Sequence, residues 1–293
     1  MAAERFINFL KYEKRYSTHT ITAYEHELDR YAAYLVQQQL RVEDVTHKHA
    51  RSYLAALLGE GLLPASINRS LSALRTYYNF MLREQFVTQN PFALVKALKT
   101  AKKLPVTVDD GKLSLLLDQE GMFPDTFEGL RDKVVLELLF GTGMRLSELL
   151  GVEDSSMDFY NGNIRILGKR NKERLVPLNR TLNQLLQRYI GEKKRQGFDN
   201  NLVKLIVTKE GGEAYPQLVY RIVTHYLGAI SLQAKKSPHV LRHTFATALL
   251  NNGADLNAIK ELLGHAGLAA TQVYTHNSVE RLKSIYKQAH PKA

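Results

Sequence analysis

The chain contains no cysteine, which limits both its chemistry and its surroundings. Disulfide bonds and thiolate catalysis are excluded, and a reducing compartment is expected. The first residues, MAAERFINFLKYEKR, hold no apolar run that predicts a signal peptide, and no window approaches the length of a membrane span. The ten histidines form no HExxH or comparable metal-binding motif. We therefore expect a cytoplasmic protein with no membrane insertion and no metal site.

Acidic residues are outnumbered by basic ones. The 293 residues include 40 Lys and Arg against 29 Asp and Glu, a net charge of +11 at pH 7. Such a balance favours an acidic partner, most often nucleic acid or a membrane surface, and solubility alone is the alternative. Both halves of the chain are basic, which suits a protein that grips its partner from two sides. The length allows one large domain or two ordinary ones.

Residues 1–98 predict an all-helical domain. Apolar residues at helical spacing indicate four helices, the second to fourth of which begin near Ser17, Thr46 and Pro64. One short helix is expected after the turn at Asn90-Pro91.

The fourth predicted helix has a polar side with a composition suited to DNA. Amide, guanidinium and hydroxyl groups at helical spacing can contact a phosphate backbone or a groove. A solvated helix face is the alternative. The candidate DNA-contacting residues here are Asn68, Arg69, Ser72 and Arg75.

Residues 99–106 form a basic linker, and residues 107–293 form a second, mixed domain. Lys102 and Lys103 in the linker can lie along DNA, although a plain hinge is the alternative. The second domain predicts helices together with a hairpin of two short strands, whose basic tip spans residues 168–173. A further strand is expected at 202–208, between helices at 180–194 and 215–230.

The stretch from Ser237 to His276 carries the densest set of candidate catalytic residues. Ser237 and Pro238 predict a helix start with a hydroxyl cap. His239 and Arg242 lie three apart and therefore share a face of that helix. A second helix is expected to end at Gly264, immediately before His265, and Tyr274 follows nine residues later.

Two upstream segments add to this set. Arg145 follows a Gly141–Gly143 break and is expected in the first turn of a helix, with Glu148 placed one turn later to pair with it. Lys169 lies on the basic hairpin tip. Each residue alone has an ordinary structural explanation, but together they suggest metal-free phosphoryl transfer to a side-chain hydroxyl. Guanidinium groups stabilise charge on phosphorus, a tyrosine needs a base or a strong field, and a lysine can protonate the leaving oxygen.

Four motifs closely resemble the tyrosine recombinase (phage integrase) family, and the similarity is closest to the bacterial Xer site-specific recombinases. They read GTGMRLSELLG, LGKRNKERLVPL, SPHVLRHTFATALLNNGADL and LGHAGLAATQVYTH. The segment PASINRSLSALRTYYNFML is similar to the family's N-terminal DNA-clamping domain. The resemblance covers nearly the whole chain. It implies an all-α, SAM-like core-binding domain followed by a mostly α catalytic domain with a small antiparallel β-sheet.

The resemblance also implies a role for each candidate. Tyr274 would be the nucleophile that forms a 3′-phosphotyrosyl link. Arg145, Arg242 and His265 would stabilise the transition state, Lys169 would protonate the leaving 5′ oxygen, and His239 would assist proton transfer at the tyrosine. Glu148 matches an acidic support position. Arg170 departs from the family, which would have glycine there, and with Lys172 it can add a phosphate contact. Neither ATP nor a metal would be required, so no cofactor is expected.

The implied partners are DNA and other recombinase subunits. The resemblance implies binding to a double-stranded recombination site and assembly of a homo- or hetero-tetramer with a paralogous recombinase on two sites. It also implies a DNA translocase regulator and association with the nucleoid. Exchange through a Holliday junction would serve chromosome or plasmid dimer resolution, with integration of a mobile element or phage as the alternative. A type IB topoisomerase-like enzyme and a non-catalytic DNA-binding accessory protein are further alternatives. An apolar stripe of Val279, Leu282, Ile285 and Tyr286 can dock on a neighbouring subunit or on its own domain.

Overall fold

The chain folds into two compact units, Met1–Lys103 and Leu104–Ala293. The structure is a computed structural model that describes residues 2–101, 106–168, 172–198, 203–231, 236–264 and 276–292, without the side chains of 276–279. The described part of the first unit is helical, and that of the second is helical with one small sheet. The expected fold class is therefore confirmed. The boundaries at 1–98, 99–106 and 107–293 stay a prediction.

Four α-helices build the N-terminal unit: α1 (Ala2–Asn8), α2 (Thr18–Gln37), α3 (His47–Gly59) and α4 (Pro64–Arg83). A π-helical turn (Phe9–Glu13) follows α1, and a short 3₁₀ turn (Val42–Asp44) precedes α3. Ser17 caps α2 by accepting from the amide of Thr20, and Thr46 caps α3 by accepting from the amide of His49. Local capping signals therefore placed these helix starts correctly.

The expected short helix after Asn90-Pro91 is wrong, because residues 91–94 form turns and residues 95–101 are irregular. The amide of Val95 bonds to the carbonyl of Phe92 (3.3 Å) in a turn, but carbonyl groups of this segment also accept hydrogen bonds from side chains of α4. Arg75 donates to the carbonyl oxygens of Phe92 and Val95. Asn68 donates from Nδ2 to the carbonyl of Leu98 (2.9 Å) and accepts from its amide (2.8 Å). Side chains of α4 thus replace the backbone bonds that would define a helix.

Eight helices are described in the C-terminal unit, and one of them is its centre. They are α5 (Asp110–Asp118), α6 (Phe127–Thr142), α7 (Leu146–Gly151), α8 (Arg180–Arg195), α9 (Pro216–Ile230), α10 (Pro238–Asn251), α11 (Leu256–Leu263) and α12 (His276–Ala289). Helix α6 is buried on almost every side from Gly129 to Thr142, which is the pattern of a helix enclosed by others. No helix among the described residues has the length and apolar character that crossing a membrane demands.

The sheet has three antiparallel strands in the order β1 (Met157–Asp158), β2 (Asn163–Leu167) and β3 (Glu173–Pro177). The predicted hairpin is β2–β3, in which Ile166 pairs with Arg174. The strand expected at 202–208 is wrong for residues 203–208, which make only isolated bridges. Leu205 bonds to the carbonyl of Val152, whereas the carbonyl of Ile206 bonds to Ala214. Because consecutive residues turn to different partners, no continuous ladder forms.

Helix α12 packs on its own unit in this single chain. Leu282 and Tyr286 are buried, and the hydroxyl of Tyr286 donates to the carbonyl of Gly141 (2.9 Å). Beyond the helix, Lys292 forms ion pairs with Glu137 (2.5 Å) and Asp118 (2.7 Å). The apolar stripe could dock on a neighbouring subunit or on its own domain, and in this structure it docks on its own domain. The side chain of Val279 lies outside the described residues.

Candidate active site

Arg145 lies at the junction between α6 and α7. Helix α6 continues through the expected break at Gly141 and ends at Thr142, and Gly143 adopts a left-handed conformation with φ of 59°. A methyl group at Gly143 would lie 2.4 Å from Cδ1 of Phe245, so only glycine fits here. Arg145 is then the extended residue that caps α7, rather than a residue of its first turn.

Glu148 holds Arg145 in two ways. Its Oε2 accepts from the backbone amide of Arg145 (2.7 Å), and its Oε1 accepts from Nη1 of the same residue (2.7 Å). The carboxylate is buried, whereas the side chain of Arg145 is 40% exposed. The predicted pairing of the two residues is therefore present, and it leaves the guanidinium group accessible from solvent.

Arg242 is the second arginine at this position. Helix α10 brings it to the end of α6 and the end of α11, where Nη1 donates to the carbonyl of Gly143 (2.6 Å) and Nη2 to that of Leu263 (2.7 Å). Its Nη1 also lies 3.9 Å from Oε2 of Glu148. Carbonyl groups at the ends of two helices thus fix the plane of this buried guanidinium group.

Arg174 is a third arginine of the cluster, and the sequence reasoning missed it. It is only 3% exposed. Its Nη1 and Nη2 bond to the two oxygens of Glu148 at 3.0 and 2.8 Å, and its Nε donates to the carbonyl of Leu262 (2.9 Å). The available signal was strand alternation, because Arg174 has the same parity as the apolar Val176 and therefore faces inward.

The four charged groups perturb one another. Burial alone would raise the pKa of Glu148, but the hydrogen bonds and charge of Arg174 and the bonds from Arg145 outweigh it, so this pKa is lowered. Burial lowers the pKa of Arg242 to about 10, and the charges of Arg145 and Arg174 add to that effect against the opposing charge of Glu148. At neutral pH three guanidinium groups surround one carboxylate. Such a cluster attracts an anion.

His239 lies in the first turn of α10, as predicted, and is exposed. Its Nε2 is 3.1 Å from Nε2 of His243, one turn further along the helix. At this distance an N–H of one imidazole can donate to the other, with the direction set by the tautomers. The expected hydroxyl cap is wrong, because Ser237 occupies the capping position but its buried Oγ has no hydrogen-bond partner among the described residues.

Several predicted site residues lie outside the described residues: Lys169, Arg170, His265, Tyr274, Lys102 and Lys103. Two described glycines adjoin two of them and lie against the arginine cluster. A methyl group at Gly168 would be 3.6 Å from Oε1 of Glu148, and one at Gly264 would be 3.1 Å from Cδ of Arg174. Gly264 ends α11 in the left-handed conformation that was expected.

The predicted DNA-contacting side of α4 is partly used within the N-terminal unit. Asn68 and Arg75 bind the backbone of residues 92–98, whereas Arg69 and Ser72 are exposed. Lys172, in the segment between β2 and β3 of the other unit, is exposed as well. DNA contact by these residues stays a prediction, and for Asn68 and Arg75 the structure adds a positioning role.

The arginine cluster of the mostly helical C-terminal unit is suited to binding a phosphate or a similar anion. Within the described ranges, no three His, Asp or Glu side chains come together as ligands for a metal ion.

Comparison with known proteins identifies the class more closely. Residues 88–281 match the phage integrase family, and residues 3–85 match the phage integrase N-terminal SAM-like domain. A tyrosine recombinase XerC of Listeria innocua is 38% identical over 99% of this chain and 97% of its own length. A tyrosine recombinase XerD of Staphylococcus haemolyticus is 34% identical, with coverage of 99% and 98%. The chain therefore belongs to the phage integrase family and is a tyrosine recombinase, an enzyme of site-specific DNA recombination.

Solved structures share the fold. The XerH site-specific recombinase bound to a palindromic difH substrate, in a post-cleavage complex, matches with a TM-score of 0.75 and 22% identity over 96% of this chain and 82% of that one. The Tn1549 transposon integrase in complex with transposon right end DNA matches with a TM-score of 0.71 and 20% identity over 97% and 98%. The family, fold and enzyme class expected from the motifs are thus confirmed.

Proposed function

We propose that Arg145 and Arg242 of the arginine cluster bind the scissile phosphate of a DNA recombination site and support its transfer to Tyr274. The observation that carries this proposal is the convergence of Arg145 and Arg242, from different helices, on one carboxylate. Guanidinium groups held in fixed planes suit the equatorial oxygens of a phosphorus under attack. The net positive charge of the cluster stabilises the phosphate most strongly in the transition state, when negative charge develops on these oxygens.

The proposed reaction is an exchange of one phosphodiester for another. The phenol oxygen of Tyr274 attacks phosphorus, its proton leaves with the help of His239, and the bond from phosphorus to the 5′ oxygen breaks. Lys169 gives a proton to that oxygen, which leaves as a 5′-hydroxyl. His265 joins the arginines in stabilising the transition state. Attack by a 5′-hydroxyl from another duplex reverses these steps and yields a Holliday junction.

Two described glycines are the sequence neighbours of two of the proposed catalytic residues. Gly168 precedes Lys169 directly, and Gly264 precedes His265 directly, and both glycines lie against the arginine cluster. Arg145 is the accessible arginine, while Arg242 is buried and fixed by two carbonyl groups. We infer that Arg145 receives the phosphate at the surface and that Arg242 supplies charge from beneath.

The proposed partners are a double-stranded recombination site and further recombinase subunits in a tetramer on two sites. Curated relatives named XerC and XerD match almost equally well, at 38% and 34% identity, so a paralogous partner and a role in chromosome or plasmid dimer resolution at the nucleoid are the proposal. Arg69 and Ser72 on α4 are proposed to contact the DNA backbone, because both are exposed on its polar side.

Covalent trapping tests the chemistry. Genomic footprinting first gives a bound site, which is then made as a nicked suicide duplex from which the cleaved end diffuses away. We expect a protein–DNA adduct on a denaturing gel with the wild type, none with Y274F, and an undiminished one with Y220F, which alters an exposed tyrosine of α9. An adduct retained by Y274F, or none formed by the wild type on its own footprinted site, would refute the proposal.

A further inference from the structure

Arg174 is a buried charge to which the proposed reaction assigns no role. It lies on β3, where its backbone pairs with Ile166, and almost none of its surface reaches solvent. Burying a guanidinium group is unfavourable unless its donors are paired. A strand in this position could carry an apolar residue, as it does at Val176, so the arginine calls for a specific explanation.

The donors of Arg174 join three elements that lie next to candidate catalytic residues in the sequence. Two terminal nitrogens reach Glu148 on α7, which follows Arg145. Nε reaches the carbonyl of Leu262, one of the last carbonyl groups of α11, which is separated from His265 only by Gly264. Arg174 itself lies on the strand that follows the hairpin tip with Lys169. One planar side chain therefore fixes three separate elements relative to one another.

Glu148 has no spare acceptor capacity. Oε1 accepts from Nη1 of Arg145 and Nη1 of Arg174, and Oε2 accepts from the amide of Arg145 and Nη2 of Arg174. A carboxylate offers about four lone-pair sites. Arg174 occupies two of them as a bidentate pair, which sets the plane of the carboxylate. The plane of the carboxylate in turn determines how the guanidinium group of Arg145 is oriented.

We propose that Arg174 is a positioning residue for recombination: it orients Glu148, and through Glu148 it aims Arg145 at the phosphate. It also ties the strand after Lys169 to the end of α11. Buried as it is, Arg174 touches neither DNA nor the reacting atoms. The inference rests on the proposed function of the cluster, because aiming Arg145 matters only where Arg145 contacts the phosphate.

A purely structural arginine would behave differently, and the chain contains one for comparison. Arg131 on α6 is 6% exposed and bonds to Asp132 through Nε (3.0 Å) and Nη2 (2.8 Å). Neither of these bonds involves a residue of the arginine cluster. R131K therefore reports what the loss of a buried, paired guanidinium group does to the C-terminal unit in general.

The test measures DNA binding and chemistry separately, with R174K, R174Q and R131K in the full chain. Single-turnover cleavage of the nicked suicide duplex is followed at saturating enzyme, at a temperature below the lowest melting point. We expect R174K and R174Q to bind DNA within about threefold of wild type and to cleave ~10²-fold more slowly, the range for loss of an aimed donor. R131K should cleave at the wild-type rate.

A double-mutant cycle asks whether Arg174 acts through Glu148. If it does, E148Q/R174K should cleave no more than about threefold more slowly than the slower single variant, because the second change removes nothing further. Multiplying losses would overturn the inference. Wild-type cleavage by R174K would also overturn it, as would unfolding of both Arg174 variants, which would make the residue structural. If the wild type forms no adduct, the proposed function itself is refuted. That result differs from those above, which concern only the Arg174 variants.

Discussion

Replacing His290 with glutamine is expected to remove a pH dependence from the stability of the C-terminal unit. His290 follows α12 and is buried, with its ring stacked on Tyr286 at a centroid distance of 4.6 Å. Its Nδ1 accepts from the amide of Lys292 (3.1 Å), and its Nε2 lies 3.4 Å from the carbonyl of Phe140. These contacts are those of a neutral imidazole that carries its proton on Nε2.

The pKa of His290 determines the sign and size of the effect. Burial lowers this pKa to about 4 from an ordinary value of 6.5, with the Phe140 carbonyl opposing the shift and Lys292 adding to it. Between these values the unfolded chain binds a proton that the folded chain does not. The neutral His290 therefore contributes about 3 kcal/mol to the free energy of unfolding. This contribution is fully present above about pH 6.5 and is lost as the pH falls toward 4.

Urea denaturation at several pH values between 4 and 7.5 measures this loss. H290Q keeps a donor and an acceptor but cannot take up the proton, so its free energy of unfolding should fall less than that of wild type by about 3 kcal/mol across the window. The acidic groups are the same in both proteins, so their contributions cancel from the difference. H225Q removes an exposed imidazole of α9 and is the matched control. Parallel curves for wild type and H290Q would refute the neutral, buried histidine.

Two further predictions concern packing within each unit. Deleting residues 278–293 should destabilise the isolated protein by more than about 5 kcal/mol in denaturant unfolding, since it opens the core and leaves buried Glu137 without its lysine partner; an unchanged midpoint would contradict the packing of α12. N68A should lower stability by about 1–3 kcal/mol, because both backbone groups of Leu98 lose their partner. R69A, on the exposed side of the same helix, should weaken DNA binding in a mobility-shift assay without that loss; reversed effects would be inconsistent with the structure.

Helix starts and ends could be predicted because their signals are local. Ser17, Thr46 and Gly264 each act within a few residues, through a capping hydrogen bond or a left-handed conformation. Ser237 shows the limit of this reasoning. It occupies the capping position that its neighbours predict, yet its hydroxyl group makes no capping bond. Sequence predicted the backbone position, whereas the side-chain rotamer depends on packing that is not local.

The errors have a common physical cause. Residues 91–98 carry a turn followed by apolar residues, which predicts a helix, but Asn68 and Arg75 from α4 bind their backbone groups first. The sequence predicts a strand at Arg174 but no role in the site, although its hydrogen-bond partners lie on α7 and α11. In each case the deciding hydrogen bonds join positions far apart in the sequence. Periodicity and spacing contain no record of such pairs.

The arginine cluster shows why the site is less stable than its surroundings would allow. Among the described residues, three guanidinium groups share the single carboxylate of Glu148, and their repulsion contributes to the lowered pKa of Arg242. Replacing buried charged groups with apolar residues of similar volume is often neutral or stabilising for a free protein. A bound phosphate would supply the missing negative charge. Because that charge grows on the equatorial oxygens during attack, the unbalanced cluster would stabilise the transition state more than bound DNA, provided that Arg174 keeps Glu148 and Arg145 in place.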